Sequence, residues 1–227
     1  MRRLSAPDLA LLQPHLETRH LGLKTNLEQA SVPIDTVCFF ESGLGSMVAK
    51  IRAEVEAEVG LIGSDGMSGS ALVMGEDRSP HDCFVQLKAE VVAIDAEPFR
   101  KALESSPTLR LFLLRYVHYL HIQTSYTALI NARSNLEQRM SRWLLMCDDR
   151  VIGGRLATTH EFLSIMLGTR RPGVTVALQQ LEGRGLIRGN RGEVVIRDRA
   201  GLAALADGSY GQPEAEYIRL IGTPRSL

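Results

Sequence analysis

The residues best suited to chemistry lie late in the chain. They are Thr158-Thr159-His160-Glu161, an apolar run to Gly168, then Thr169-Arg170-Arg171-Pro172-Gly173-Val174. The chemistry they suit is recognition rather than bond-making. An arginine near the start of a helix can offer two parallel N–H groups to guanine O6 and N7, while threonine and valine methyls can meet the thymine methyl. Thr169 and the first free amides of such a helix suit a phosphate. The candidate DNA-contacting residues are therefore Thr169, Arg170, Arg171, Pro172, Thr175, Val176 and Gln179, with Arg188 and Arg191 following downstream.

Two short helices across a tight turn must hold these side chains. Thr158 and Glu161 match a capping box, in which the threonine hydroxyl takes the Glu161 amide and the glutamate reaches back. Phe162, Ile165 and Met166 form a buried stripe, and Gly168 can take the left-handed conformation that closes the helix. Thr169 then caps the second helix. Val174, Leu178 and Leu181 bury one face of it, Pro172 falls in its first turn, and Gly185 ends it. So short a turn forces the helices to cross. Leu186-Ile187-Arg188, the turn Gly189–Gly192 and Glu193-Val194-Val195-Ile196 then predict a β-hairpin, a wing that lays Arg188 and Arg191 along a backbone.

Charge concentrates in the same place. Residues 155–199 hold eight arginines against four acids, a local +4 on a chain whose formal charge is zero. A basic block on an otherwise acidic chain is the footprint of a phosphate-binding module. Cys38, Cys83 and Cys147 show no paired spacing, so free thiols are expected and no metal site. No apolar run approaches the ~18 residues that cross a bilayer, and no secretory leader is apparent; a soluble, cytoplasmic protein is expected. No nucleophile–base set or motif-placed carboxylate pair is present, and an enzyme is not expected.

Upstream, residues 4–20 predict a short helical start. Between Gly22 and Ile94, short β-rich runs (Thr36–Phe40, Ser46–Ile51, Glu54–Ile62, Cys83–Leu87, Glu90–Ile94) are punctuated by turn residues, which suits a compact barrel or roll. The glycine-dense loop Gly63–Ser70 lacks the lysine of a phosphate-binding loop and opens no clear helix, so it predicts an inter-strand turn. Pro107 suits a first helical turn, and Thr108–Ala132 contains neither Gly nor Pro. Leu109, Leu113, Tyr116, Leu120, Gln123, Thr127 and Ile130 recur there at spacings of three and four. A helix of that length spans about 37 Å at 1.5 Å per residue. It is either the core helix of one domain or one that pairs with its twin. His118 and His121 have no third ligand in view. A second helix, Leu136–Met146, shows Met140, Trp143 and Leu144 on one face, and Asp148–Gly154 links it onward.

The order of roll, long helix and winged helix-turn-helix resembles the Crp/Fnr family of bacterial transcription regulators. The resemblance is carried by LATTHEFLSIMLGTRRPGVTVALQQLEGRGLI and by Asn131-Ala132-Arg133 before Leu136-Glu137-Gln138-Arg139, and it covers nearly the whole chain. It implies an α+β fold in three segments: a jelly-roll-like β-roll (double-stranded β-helix) sensor in 1–106, a dimerisation helix in 107–133 and a winged helix-turn-helix in 134–227. The implied protein is a homodimer that pairs through Leu109, Leu113, Tyr116, Leu120, Gln123 and Thr127 and reads double-stranded DNA at a near-palindromic operator. RNA polymerase would be a further partner, and no membrane is involved. The alternative is a ligand-binding sensor whose winged segment docks to protein. Family members that bind cyclic nucleotides carry Gly-Glu and a downstream Arg-Ser/Thr/Ala in the roll. Here Gly69-Ser70 stands for the first pair and Arg78-Ser79 is followed by Pro80, while His81 or Asp82 takes the place of the phosphate arginine. Gly69, Ser70, Arg78, Ser79 and His81 are thus the candidate effector pocket, with no cofactor expected and cAMP disfavoured.

Overall fold

The structure, a computed structural model, describes residues 3–52, 55–151 and 154–223. Glu54, expected to begin a strand, lies outside the described residues, as do Ile152 and Gly153 of the expected link. Helix α1 (Ala6–Leu12) ends in a 3-10 turn, and β1 (Glu17–Leu21) follows. The expected helical start therefore covers only half of residues 4–20: Pro14 removes an amide donor, and Glu17–Leu21 instead finds antiparallel pairing with residues 89–93.

The roll is β1, β2 (Asn26–Glu28), β3 (Thr36–Arg52), β4 (Val55–Ile62) and β5 (Asp82–Asp95). Strand order is β1-β5-β3-β4, with β2 also on β5, all antiparallel. Two pairs of expected short runs fuse into β3 and β5, which register from Thr36↔Asp95 to Val48↔Asp82. Their fusion needs a bulge. Gly43 supplies it at φ +79°, where a Cβ would sit 2.3 Å from the Lys88 carbonyl. Strand periodicity divides the core: Val37 and Phe39 pack toward the helices, Cys38 and Phe40 toward Cys83, Val85, Val91 and Ala93. All three cysteines are free and buried, and burial pushes their thiols up in pKa. The glycine loop does open a helix, α2 (Ser70–Met74), with Gly69 at its N-cap in a left-handed conformation, correcting the expected plain turn.

Helix α3 (Ala96–Ser105) leads to α4 (Pro107–Arg133), where Pro107 is the first residue and the Ser106 hydroxyl accepts from the Leu109 amide. The apolar seam of α4 corrects an expectation. Leu109, Leu113, Tyr116, Leu120 and Gln123 are buried within one chain, under the roll and the last helix, α9 (Gln212–Leu220). Gln123 bonds both peptide groups of Leu61, and Thr127 is half-buried with its hydroxyl on the Gln123 carbonyl. The five buried residues are occupied at home and cannot also face a twin, while Thr127 keeps part of its surface open.

Helix α5 (Leu136–Asp148) is buried almost all round: Met140 to Cys147 are each inaccessible, not one face alone. One hydrophobic cluster joins Leu44, Val48 and Leu61 of the roll to α5 and to the core of residues 156–206 beyond it. A buried ion pair crosses the same boundary: Arg150 Nη2 lies 2.7 Å from Asp65 Oδ2, with side chains 3% and 7% exposed. Tyr119 accepts from the same guanidinium at 2.6 Å, and Tyr217 of α9 donates to the Asp65 carbonyl at 2.9 Å. Among the described residues, no helix is long and apolar enough to cross a membrane.

Candidate nucleic-acid interface

Past α5 come β6 (Arg155–Ala157), α6 (His160–Met166), α7 (Arg171–Gly183), β7 (Ile187–Asn190), β8 (Glu193–Ile196) and α8 (Arg199–Leu205). The N-cap of α6 is Thr159, whose hydroxyl accepts from the Phe162 amide at 3.1 Å. The expected box does not form: Thr158 is buried with its hydroxyl unpartnered, its amide drawn to the Gly192 carbonyl by the pairing of β6 with β8, and the cap falls to the next residue. Gly168 closes α6 at φ +53°, and the Thr169 amide returns to the Ser164 carbonyl, the 6→1 bond of a Schellman closure. Helix α7 then starts one residue later than expected. Arg170 is its N-cap and makes no side-chain bond, so Thr169 does not cap it, and Pro172 is its second residue.

Val174, Ala177, Leu178 and Leu181 bury one face of α7 against Leu163 and Met166. The other face presents Arg170, Arg171, Pro172, Val176 and Gln179 to solvent, with Val176 52% exposed. Thr175 is partly spent: its hydroxyl is 2.9 Å from His160 Nδ1 and donates to the Arg171 carbonyl at 3.2 Å. Thr169 is half-buried in the turn. The wing is the three-stranded sheet β6-β8-β7, one strand more than the hairpin expected, because residues 155–157 pair with 193–195. Gly192 turns it at φ +75°, leaving Arg188, Asn190 and Arg191 exposed at its tip. The Gly189 amide donates to Glu182 Oε1 at 3.0 Å, tying the wing to α7. Between them runs an open cleft of about 460 Å³, with Arg171, Thr175 and Gln179 on one wall and Asn190 and Arg191 on the other.

The eight arginines of the basic block separate into two sets. Arg155 pairs with Glu193, Arg184 with Glu137, and Arg199 with Asp148 and Asp149. Arg170, Arg171, Arg188, Arg191 and Arg197 are exposed and have no ion-pair partner among the described residues. The paired arginines fasten elements together, and four of the five unpaired ones stand on α7 and the wing tip. His160, Asn190 and Arg197 were not among the DNA-contacting candidates read from sequence. His160 sits where a cap was expected, and only its contact with Thr175 marks it.

The candidate effector residues do not converge on an anion site. Arg78 turns outward onto Asp77 at 2.7 Å, and the Ser79 hydroxyl lies 3.3 Å from His81 Nδ1. The Gly69 amide donates at 2.7 Å to Glu28, so the carboxylate absent at Ser70 arrives from β2; burial pushes its pKa up. Asp82 pairs with Lys50 at 2.7 Å, and this contact holds its carboxyl below the usual range.

Residues 138–205 match the family model of the Crp-like helix-turn-helix domain. Among solved structures, a Crp/Fnr-family protein from Eubacterium rectale is 18% identical, with a TM-score of 0.70 over 90% of this chain and 96% of its own. FixK2 from Bradyrhizobium japonicum is 16% identical, with a TM-score of 0.70 over 84% and 96%. The c-di-GMP-responsive global regulator CLP of Xanthomonas campestris is 18% identical, with a TM-score of 0.66 over 85% and 99%. No curated relative matches by sequence. The chain thus carries a Crp-like helix-turn-helix domain on the α+β fold of Crp/Fnr regulators, and what it resembles are regulators rather than enzymes.

Proposed function

We propose that this chain, built on a Crp/Fnr-type fold, is a sequence-specific DNA-binding transcription regulator that acts as a homodimer on a near-palindromic operator. The observation that carries the reading is the set of unpaired arginines on α7 and the wing, beside neighbours whose charges are spent internally. Unpaired guanidiniums on an exposed helix start suit base edges, and those on a wing suit phosphates. Arg170, Arg171, Val176 and Gln179 take the base-reading role, with Arg188 and Arg191 on the backbone. Thr169 stays a phosphate contact through its place at the turn, and Thr175 contributes its methyl, since its hydroxyl is engaged.

For the dimer, the face of α4 opposite the buried seam supplies the surface. Leu111, Leu114 and Leu129 are 53%, 37% and 56% exposed, with half-buried Ile122 between them. At 3.6 residues per turn all four lie on one side of the helix. A two-fold axis along this stripe would set the two α7 helices about one DNA turn apart. Residues 1–106 then serve as sensor, 107–133 as pairing helix and 134–227 as reader. Cyclic AMP is disfavoured as effector: Arg78 is committed to Asp77, and Asp82 faces Lys50 where a phosphate arginine would stand. Salt titration of DNA affinity tests the reading. Wild type should weaken steeply with salt, and Arg188→Ala with Arg191→Ala should flatten that slope for every sequence alike. A slope indifferent to the wing arginines would favour a winged segment that docks to protein.

A further inference from the structure

Arg171, Thr175 and Gln179 fall at successive i, i+4 positions of α7, one row of side chains on the wall of the cleft that the wing completes. Arg171 and Gln179 are exposed, and Thr175 between them is half-buried. Its Oγ1 is held from two sides. It donates to the Arg171 carbonyl at 3.2 Å within α7, and His160 Nδ1 of α6 lies 2.9 Å away. A hydroxyl owns one hydrogen and two lone pairs. With the hydrogen on the carbonyl, the imidazole Nδ1–H donates to the oxygen and takes one of the lone pairs.

The shorter of the two contacts comes from another element, and that element is fixed. His160 is the first residue of α6, directly after the Thr159 cap, and α6 packs on α7 through Leu163, Met166, Val174 and Leu178. This bond changes what Thr175 offers. A threonine on a reading helix is ambiguous: its hydroxyl can bond the edge of several bases, while its methyl meets the C5-methyl group of thymine. In a helix its side chain also divides between two rotamers. With the oxygen turned to α6 and to its own helix, the methyl is left for contact. Val176, next along the chain and 52% exposed, extends the same apolar surface.

We propose that His160 is a positioning residue for base recognition: by holding the Thr175 hydroxyl, it makes Thr175 a reader of the thymine C5-methyl group at one position of each half-site. The inference rests on α7 being the helix that reads DNA, and it adds which feature of which base one side chain reads.

The test begins with the motif that wild type selects from a random pool. Each thymine of a half-site is then replaced in turn by deoxyuridine, which lacks only the C5-methyl group. At one thymine, wild type should lose affinity about fourfold, the worth of one methyl group taken out of water. His160→Ala should lose that discrimination, because the oxygen regains a lone pair for the amino group of adenine or cytosine. Thr175→Val has no hydroxyl to hold, so it should discriminate with His160 present and equally in the His160→Ala background. A purely structural defect at His160 would not be rescued in this way. Thr175→Ser, which keeps the hydroxyl and lacks the methyl, should not discriminate even beside an intact His160. The inference is overturned by a motif with no methyl-sensitive thymine, by His160→Ala that discriminates like wild type, or by a double variant that fails to recover. A wild type that selects no motif at all overturns the DNA-reading assignment of α7 itself, and this inference with it.

Discussion

Arg171 stands at the first position of α7, exposed and unpaired, on the wall of the cleft that the wing completes. Replacing it with alanine should cost about 1–3 kcal/mol of specific binding and relax the base preference at one position per half-site. Unchanged selectivity on a panel of single-base operator variants would place the helix in a different register. Glu58 leads to a second expectation. The Ser46 hydroxyl lies 2.7 Å from Glu58 and 2.6 Å from Gln86 Oε1, yet owns one hydrogen. A protonated Glu58 donating to Ser46, which donates to Gln86, satisfies all three. Desolvation raises this carboxyl from 4.5 to about 7, above its unfolded value. The fold therefore holds a proton that the unfolded chain has released. Stability from this group is complete below about pH 4.5 and is lost as pH rises to about 7, on the order of 3 kcal/mol. Thermal melts across that window should flatten in Glu58→Gln, and a slope that survives the substitution would assign it to other groups. The exposure of Arg170, Arg171, Val176 and Gln179 was legible because one buried face of a helix, fixed by spacing, leaves the other face outside. The engagement of Thr175 was not, since His160 reaches it from another element.

At the scale of elements, the sequence showed where α4, α6, α7 and the wing lie but not which surfaces meet. The spacing of Leu109, Leu113, Tyr116 and Leu120 announces a buried stripe without naming what covers it, and the cover is the chain's own roll and α9. The leucines left outside are interleaved with Arg115, His118 and His121, which dilutes their pattern. Strand β6 was hidden for a related reason: three residues carry too little periodicity to be seen until β8 pairs with them. If the outer stripe is the pairing face, Leu129→Lys should shift the protein to monomer in sedimentation. It should weaken operator binding by well over tenfold, while salt-sensitive binding to random DNA remains. A Leu129→Lys protein that sediments like wild type would remove the stripe from the interface.

Across the whole molecule, the winged segment does not hang free from the roll. A shared core cluster, the Glu58–Trp143 bond and the Asp65–Arg150 pair hold the two together. Helix α9 doubles back so that Tyr217 packs on Tyr119 at 4.9 Å between ring centres. None of this was legible, because Asp65 reads as one more polar residue in a glycine-rich turn and Arg150 as a piece of linker. Removing one member of a buried pair strands the other, so Asp65→Ala should lower stability by about 3–5 kcal/mol, seen as a fall in Tm. A Tm within a degree or two of wild type would show that Arg150 finds other partners. The central claim is that two copies of this chain hold a two-fold DNA site, Arg170 and Arg171 at the bases and Arg188 and Arg191 on the backbone. Selection of bound duplexes from a random pool by the purified protein tests it most directly. The expected result is an enriched inverted repeat with half-sites about 10 base pairs apart, in which Arg171→Ala relaxes one position of each half-site. Enrichment of an unrepeated motif, or of the same motif unchanged at every position in Arg171→Ala, would contradict it.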